Sequence, residues 1–328
     1  MQTNDRLTSY QINLARSAQS SMFRPLCVMS QSVKVAVIGA SGYSGRELLR
    51  LLLLHPNAEI VAVTSRALAG KPLVSEFPRF RGNAKAESLS FVSPDMEAIT
   101  SSGAQVAFLA LPHGVAHEFA GPLLKAGLKV IDLSADFRLR DASVYAEYYD
   151  HEHPAPALLK EAVYALPELR LEEIKKAQLI ACPGCYPTSV LLPLLPLLKA
   201  ELLDESPIAV SSMSGVTGAG RKESIPFLFS ECNESVRAYS VPKHRHLSEI
   251  GQELDLAAGR RVKFTFIPHL IPVNQGIHTT IFASLQSGKT VADAEAALKN
   301  AYAGRPFVRL LGQNKCPDTK NVTSTNFA

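Results

Sequence analysis

VKVAVIGASGYSGRELLRLLLL, residues 33–54, decides the fold. Its first six residues, apolar and β-branched apart from Lys34 and Ala36, read as a short buried strand. Gly39 ends that run, and Gly39, Gly42 and Gly45 punctuate the turn that follows. From Arg46 to Leu54 the pattern becomes a strongly apolar helix that stops at His55-Pro56. A strand, a glycine turn and a helix in this order place free backbone N–H groups at the helix start, where a pyrophosphate can approach closely. The spacing is GxxGxxG rather than GxGxxG, so placement after the first strand carries much of the argument. Gly39, Ser41, Gly42, Tyr43, Ser44 and Gly45 are therefore candidate dinucleotide-binding residues.

Working outward, residues 59–64 (EIVAVT), 105–111 (QVAFLAL), 129–133 (KVIDL) and 179–181 (LIA) read as further buried strands. Residues 115–126 read as a helix between two of them. Apolar strands alternating with helices imply a parallel sheet covered on both faces. Residues 33–183 are thus expected to form a Rossmann-type, doubly wound domain. The second half differs. Residues 207–213, 262–267 and 276–285 look like longer strands, and the last alternates as a one-sided sheet does. Helices at 188–203 and 291–302 would cover that face. The expected class is α/β, with an NADP-binding Rossmann domain followed by an α+β domain whose sheet is mainly antiparallel. The α+β domain is placed at 184–312.

An NAD site often carries an acid after the second strand, to bind the ribose 2′-hydroxyl. Here the chain reads Thr64-Ser65-Arg66, and a hydroxyl with a guanidinium suits a 2′-phosphate, so NADP is the expected cofactor. Arg66 could equally be a solvated loop residue. Pro112 and His113 follow a parallel strand on the crevice side and are read as shaping the cofactor pocket.

Cys182-Pro183-Gly184-Cys185-Tyr186-Pro187-Thr188 precedes the most apolar helix. Pro187 fits a first helical turn. Cys185 then sits at a helix N-terminus, where free amides and the dipole favour a thiolate, the reactive form of a nucleophilic cysteine. CxxC spacing also fits redox chemistry, half a zinc site or two buried thiols. There is no second CxxC, and Cys182 is read as structural. A nucleophilic cysteine needs a proton-transfer partner. Lys243-His244-Arg245-His246, followed by Glu249, is the densest histidine cluster. It also reads as a basic surface stretch or an HxH metal pair, though no third good ligand lies nearby, and no metal is expected. The loop 214–222 (SGVTGAGRK), with Ser214, Gly215 and Arg221, could present amides and charge to a phosphate or carboxylate.

Composition excludes other classes. The 328 residues allow two domains. The net charge of +4 is spread along the chain, so nucleic acid is not an expected partner. Five unevenly spaced cysteines fit a reducing compartment, and the expected location is cytoplasmic. The apolar run from Val190 to Leu198 holds Pro193 and Pro196 and is far short of the roughly 20 residues of a membrane span. Residues 1–32 are expected to be an unstructured extension. Arg6, Arg16 and Arg24 against a single Asp5 suit an organellar transit peptide, but a start at Met29 is the preferred reading.

Together these motifs resemble the N-acetyl-γ-glutamyl-phosphate reductase family, of the aspartate-semialdehyde dehydrogenase-like reductases. The segments that carry the resemblance are VAVIGASGYSGRELLRLL, FLALPHGVA, VIDLSADFRL, YALPEL, CPGCYPT, SGVTGAGRK, KHRHLSEI, FIPHLIPVNQGIHTT and PDTKNVTSTNF, spread over residues 33–327. The resemblance implies NADPH-dependent reduction of an acyl phosphate in arginine biosynthesis. It makes Cys185 the nucleophile and His244 the acid/base residue, with His246 and Glu249 assisting. It makes residues 313–328 a segment returning to the first domain, in which Asn326 resembles a cofactor-contacting position, and Arg138 and Arg221 are candidates for substrate anions. It implies a homodimer or homotetramer, and a helix after the Asn326 segment, whereas this sequence ends at Ala328. Alternatives are a relative acting on aminoadipyl or aspartyl phosphate, and a non-catalytic NADP-binding regulatory protein.

Overall fold

Alternating strands and helices over residues 33–181 build one seven-stranded sheet in the computed structural model, which describes residues 32–328. The reading of the leader falls outside the described residues. The strands are β1 Val33–Ile38, β2 Ala58–Thr64, β3 Phe91–Val92, β4 Val106–Leu109, β5 Lys129–Asp132, β6 Val163–Tyr164 and β7 Leu179–Ala181. Their order is β3-β2-β1-β4-β5-β7-β6, and every pairing is parallel. Helices α1 Tyr43–Leu54, α2 His117–Lys125, α3 Ala142–Tyr149 and α4 Pro167–Lys176 accompany these strands.

The two faces of this sheet have separate cores. Val35, Val37, Leu49, Val63, Leu73 and Phe91 pack together in one, and Ala36, Ile38, Leu109, Leu123, Val130 and Leu179 in the other. Alternate residues of β1 feed opposite cores, which is why its buried stretch Val35–Ile38 is apolar throughout. Each fully buried leucine or isoleucine stabilises the fold by about 1.5–3 kcal/mol.

Strand order reverses between β1 and β4, and ligands of such sheets bind in the crevice beyond the strand carboxyl ends at that point. The loops after β1, β2, β4, β5 and β7 all emerge at this edge. Parallel pairing therefore delivers Gly39, Ser65, His113, Arg138 and Cys185 to one side of the molecule.

The second sheet contains β8 Ile208–Ser214, β9 Arg237–Ala238, β10 Phe264–Leu270 and β11 Ile277–Phe282, in the order β11-β8-β10-β9. Two of its three pairings are antiparallel, as expected. The central one, β8 with β10, is parallel over seven residue pairs, and α6 His246–Ala258 lies in the chain between them. Helix α5 Cys185–Lys199 covers one face, with Tyr186, Val190, Leu191, Leu194, Leu195 and Leu198 buried among α6, α7 Val291–Tyr302 and the strands. A helix buried on nearly all sides has no need of a polar stripe.

The expected helix 188–203 thus begins earlier, at Cys185, and the expected helix 115–126 is His117–Lys125. The opposite face of the second sheet carries Met213, 39% exposed, and Phe282, 65% exposed. None of the described helices is long and apolar enough to cross a membrane.

Candidate active site

The turn after β1 is shaped by its glycines. Gly39 has φ +81°, and a Cβ there would lie 2.6 Å from the Ala110 carbonyl oxygen. A Cβ on Gly45 would meet the Ala40 backbone at 2.7 Å, so this glycine lets α1 close onto the turn. Gly42, the N-cap of α1, is different. A Cβ there would meet nothing within 4 Å, so the space in front of the helix start is open. Open space at a helix N-terminus, bounded by glycines that cannot be replaced cheaply, fits a dinucleotide pyrophosphate.

Ser41 and Ser65 come together, the Ser65 hydroxyl donating to Ser41 Oγ at 3.2 Å. Arg66 is exposed and pairs with Glu118 at 3.3 Å, so its guanidinium stays at the surface beside the loop, free to exchange a weak ion pair for a stronger one. A 630 Å³ cavity flanks α1, lined by Tyr43, Arg46, Thr217, Asn274 and Lys320 among others. Arg46 carries no motif that marks it in the sequence, and its buried Nε has no hydrogen-bond partner among the described residues.

The loop after β4 is pinned by the loop after β5. Asp136 accepts the Gly114 N–H at 2.7 Å and the Ala116 N–H at 2.9 Å, and the Ala135 N–H donates to His113 Nδ1 at 3.0 Å. Burial first, then the charges of Arg245 and Arg138, push His113 down to about 3. The ring is therefore neutral with Nδ1 accepting, which leaves Nε2 as the N–H.

Cys185 opens α5 with Gly184 as N-cap. It is solvent-accessible, yet dense protein lies behind it. That burial raises its thiol pKa, partly opposed by the Tyr186 amide and the Arg138 charge. The helix start thus acts in the expected direction but does not by itself produce a thiolate in the free protein. Burial and the nearby Asp132 push Cys182 up to about 12, which keeps it a thiol, in line with its structural reading.

Behind Cys185 stands a buried carboxylate. Glu249, from the first turn of α6, accepts the Gly184 N–H at 2.8 Å and the Tyr164 hydroxyl at 2.7 Å through one oxygen. Its other oxygen meets Arg138 at 3.4 Å. Arg138 also donates to the carbonyls of Cys182 at 2.7 Å and Leu133 at 2.9 Å. Its planar fork is therefore spent on the chain on either side of the site. Tyr164 was not legible as a site residue, because nothing near it in sequence points to the 249 position.

His244 and His246 are both buried. The His246 N–H donates to His244 Nδ1 at 3.1 Å, and the rings lie 4.9 Å apart. His244 packs edge-on against Tyr186, Tyr239 and Phe266. Burial, then Arg245, lowers it to about 4. His246 is nearer the Cys185 turn: a Cβ on Gly184 would lie 2.6 Å from its Nε2, and its Nδ1 has no partner among the described residues. Burial first, then Arg138, holds His246 well below the usual histidine range.

Ser214 is buried at the end of β8, and Gly215 packs against the Asn274 backbone with no room for a Cβ. Arg221 reaches across to the nucleotide turn, donating to the Ser41 carbonyl at 3.1 Å and pairing with Glu76 at 2.7 Å. Asn326 is exposed, in a segment tied to α1 where Arg50 donates to the Ser324 carbonyl at 3.1 Å.

Comparison with known proteins gives this arrangement a lineage. Residues 34–177 match the family described as "Semialdehyde dehydrogenase, NAD binding domain", and residues 185–328 match "Semialdehyde dehydrogenase, dimerisation domain". N-acetyl-gamma-glutamyl-phosphate reductase of Akkermansia muciniphila is 58% identical over 296 residues, covering 90% of this chain and 85% of that protein. The protein of that name from Pseudomonas savastanoi pv. phaseolicola is 49% identical, with 90% and 84% covered.

The chain belongs to the N-acetyl-gamma-glutamyl-phosphate reductase family.

Among solved structures, aspartate semialdehyde dehydrogenase with NADP from Candida albicans matches this family member with a TM-score of 0.66. That match is 16% identical and covers 89% of this chain and 86% of that one. Aspartate semialdehyde dehydrogenase II of Vibrio cholerae matches with a TM-score of 0.63 at 16% identity, covering 88% and 84%. At such identity the likeness speaks to the fold alone.

Proposed function

We propose that this family member reduces N-acetyl-γ-glutamyl phosphate to N-acetylglutamate 5-semialdehyde and phosphate, with NADPH, in arginine biosynthesis. The observation that carries the reading is an accessible Cys185 at a helix start, flanked by neutral His246 and backed by Glu249, on the sheet edge that also holds the nucleotide turn.

The Cys185 sulfur attacks the γ-acyl carbon and phosphate departs, leaving a thioester. This divides one difficult displacement into two easier steps. NADPH, held at the turn after β1, would supply the hydride for reduction of the thioester carbonyl. The tetrahedral species then loses the Cys185 sulfur and releases the aldehyde. Because burial raises the Cys185 pKa, a base must take its proton as attack begins. We take His246, whose Nε2 lies against Gly184, as that base, and His244 holds the backbone there by accepting the His246 amide N–H at its Nδ1. Glu249 and Arg138 act as positioning residues that fix the Cys182–Cys185 turn from below.

On the cofactor side, Gly39, Ser41, Gly42, Tyr43, Ser44 and Gly45 would receive the pyrophosphate, and Ser65 with Arg66 the 2′-phosphate. Pro112 and His113 would border the nicotinamide, and Asn326 would close the site from the C-terminal segment. Ser214, Gly215 and Arg221 would border the substrate. We place the division between domains at residues 183/184. We read the exposed Met213 and Phe282 face as the surface on which a second copy pairs, giving a homodimer or a homotetramer of two such pairs. A cytoplasmic location is in keeping with free thiols at Cys182, Cys185, Cys232 and Cys316.

Phosphate-dependent reduction of NADP⁺ by N-acetylglutamate 5-semialdehyde tests the reading. Turnover of that aldehyde, and none of aspartate or aminoadipate semialdehyde, supports it; the reverse preference refutes the substrate.

A further inference from the structure

The glycine loop 214–222 is held at its root and at its tip by different domains. At the root, the Val216 and Thr217 amides donate to the carbonyls of Val273 at 2.9 Å and Asn274 at 3.0 Å. The Thr217 hydroxyl also donates to the Asn274 carbonyl, at 2.6 Å. Gly220 then turns the chain with φ +88°, a left-handed backbone that favours glycine. Beyond it, among the described residues, the exposed tip is tied down by the Arg221 side chain, which crosses to the nucleotide turn.

One nitrogen makes the whole crossing. Arg221 Nη1 donates to the Ser41 carbonyl at 3.1 Å and to the Glu76 carboxylate at 2.7 Å. Glu76 ends the short helix Leu73–Glu76 between β2 and β3, and its side chain is 21% exposed against 52% for Arg221. Arg221 Nε and Nη2 have no partner among the described residues. Arg138 differs, since its Nε, Nη1 and Nη2 are all engaged. Arg221 thus keeps one edge of its guanidinium, a planar pair of N–H groups of the kind that binds a phosphate bidentately. The Ser41 contact fixes where that guanidinium lies. Gly42, whose open front fits a pyrophosphate, is the next residue, about 3.8 Å along the chain.

Resting on the function proposed above, we infer that Glu76 is a positioning residue, which holds Arg221 across the cleft so that the free edge of the guanidinium receives a phosphate oxyanion. An arginine on an exposed glycine loop loses side-chain freedom when it binds an anion, and a carboxylate that holds it in place beforehand removes that loss. Two phosphates are at hand: the dinucleotide pyrophosphate in front of α1, and the phosphoryl group of the substrate that Arg221 borders. Glu76 also neutralises part of the arginine charge, which opposes anion binding. At an exposed pair solvent and salt screen that effect, so the gain in orientation outweighs it.

Fluorescence titration with NADPH, without substrate, reads the first source, and the Michaelis constant for phosphate in aldehyde oxidation reads the second. Glu76→Ala raises one of these constants by about three- to tenfold, the effect of leaving one long side chain unordered. Glu76→Gln, whose amide oxygen still accepts, raises it less, and thermal melting is little changed because a surface pair contributes little to stability. Arg221→Met raises the same constant by about tenfold or more, as expected for losing a charge-assisted contact. Adding Glu76→Ala to Arg221→Met changes nothing further, because a residue that acts through Arg221 has no effect once Arg221 is gone. A rise for NADPH assigns the cofactor pyrophosphate, and a rise for phosphate assigns the substrate phosphoryl group. Additive losses in the double variant, both constants unchanged in Glu76→Ala, or tighter binding there would overturn the inference. Failure of the wild-type protein to oxidise the aldehyde would refute the proposed substrate, and the NADPH titration would still decide Glu76.

Discussion

The Glu249 carboxylate accepts the backbone N–H of Gly184 at 2.8 Å, one residue ahead of Cys185 in the chain and 65 residues from Glu249. This hydrogen bond joins α6 to the start of α5, which couples the histidine segment to Cys185. A buried carboxylate at a helix N-terminus is also favoured by the helix dipole.

Removing that carboxylate destabilises the protein. Glu249→Ala strands the buried Arg138 charge, the Gly184 N–H and the Tyr164 hydroxyl, a loss of about 3–5 kcal/mol by analogy with broken buried ion pairs. Glu249→Gln keeps an acceptor for the two neutral donors and loses less. Urea unfolding of the three proteins checks the order.

The three turn glycines separate folding from cofactor binding. Gly39→Ala forces a left-handed backbone and drives its Cβ into the Ala110 carbonyl, so both stability and NADPH binding are lost. Gly42→Ala has φ −78° and open space, so the protein folds normally, but its methyl stands where the pyrophosphate must lie. Thermal melting and NADPH fluorescence titration measure the two effects separately.

Arg66→Glu should weaken NADPH binding by about ten- to a hundredfold and NADH binding far less, because only the former carries a 2′-phosphate for the guanidinium. Equal losses for both cofactors would remove Arg66 from the 2′ site.

Stability should fall on acidification below about pH 6.5. His113 and His244 take up protons only near 3 and 4 when folded, and His246 well below the normal range, whereas the unfolded chain takes them up near 6.5. Between those limits the unfolded state binds more protons, so stability drops as pH falls. Asp132 opposes this: burial raises its folded pKa to about 7, so its contribution is full below about 4 and is lost as pH rises to 7. Asp132→Asn should therefore make the acid loss steeper, as urea midpoints at pH 7 and 4.5 would register.

Much of this fold is written locally. VKVAVIGASGYSG states a strand, a turn and a helix start within thirteen residues, and CPGCYP states a helix N-terminus in six. Pairing is not written that way. Residues 208–214 and 264–270 alternate as strands in either direction, and only the intervening α6 makes their parallel pairing possible. That helix was not among the expected elements, although Leu247, Ile250, Leu254 and Ala258 recur at helical spacing, because the histidine cluster at its start drew the reading toward chemistry. The partners of Arg138 were not, because Leu133, Cys182 and Glu249 converge only after both sheets have formed. For the same reason, a positive charge in sequence could not be assigned to structure or to substrate until its neighbours were in place.

The central claim is that the acyl group passes through Cys185. Mixing the protein with N-acetylglutamate 5-semialdehyde and NADP⁺ without phosphate, quenching in acid and mapping peptides by mass spectrometry tests it directly. The account predicts an N-acetylglutamyl adduct on the Cys185 peptide that disappears when phosphate is added and never forms in Cys185→Ala. An enzyme that turns over with phosphate present while Cys185 stays unmodified, or an adduct on another residue, would contradict it.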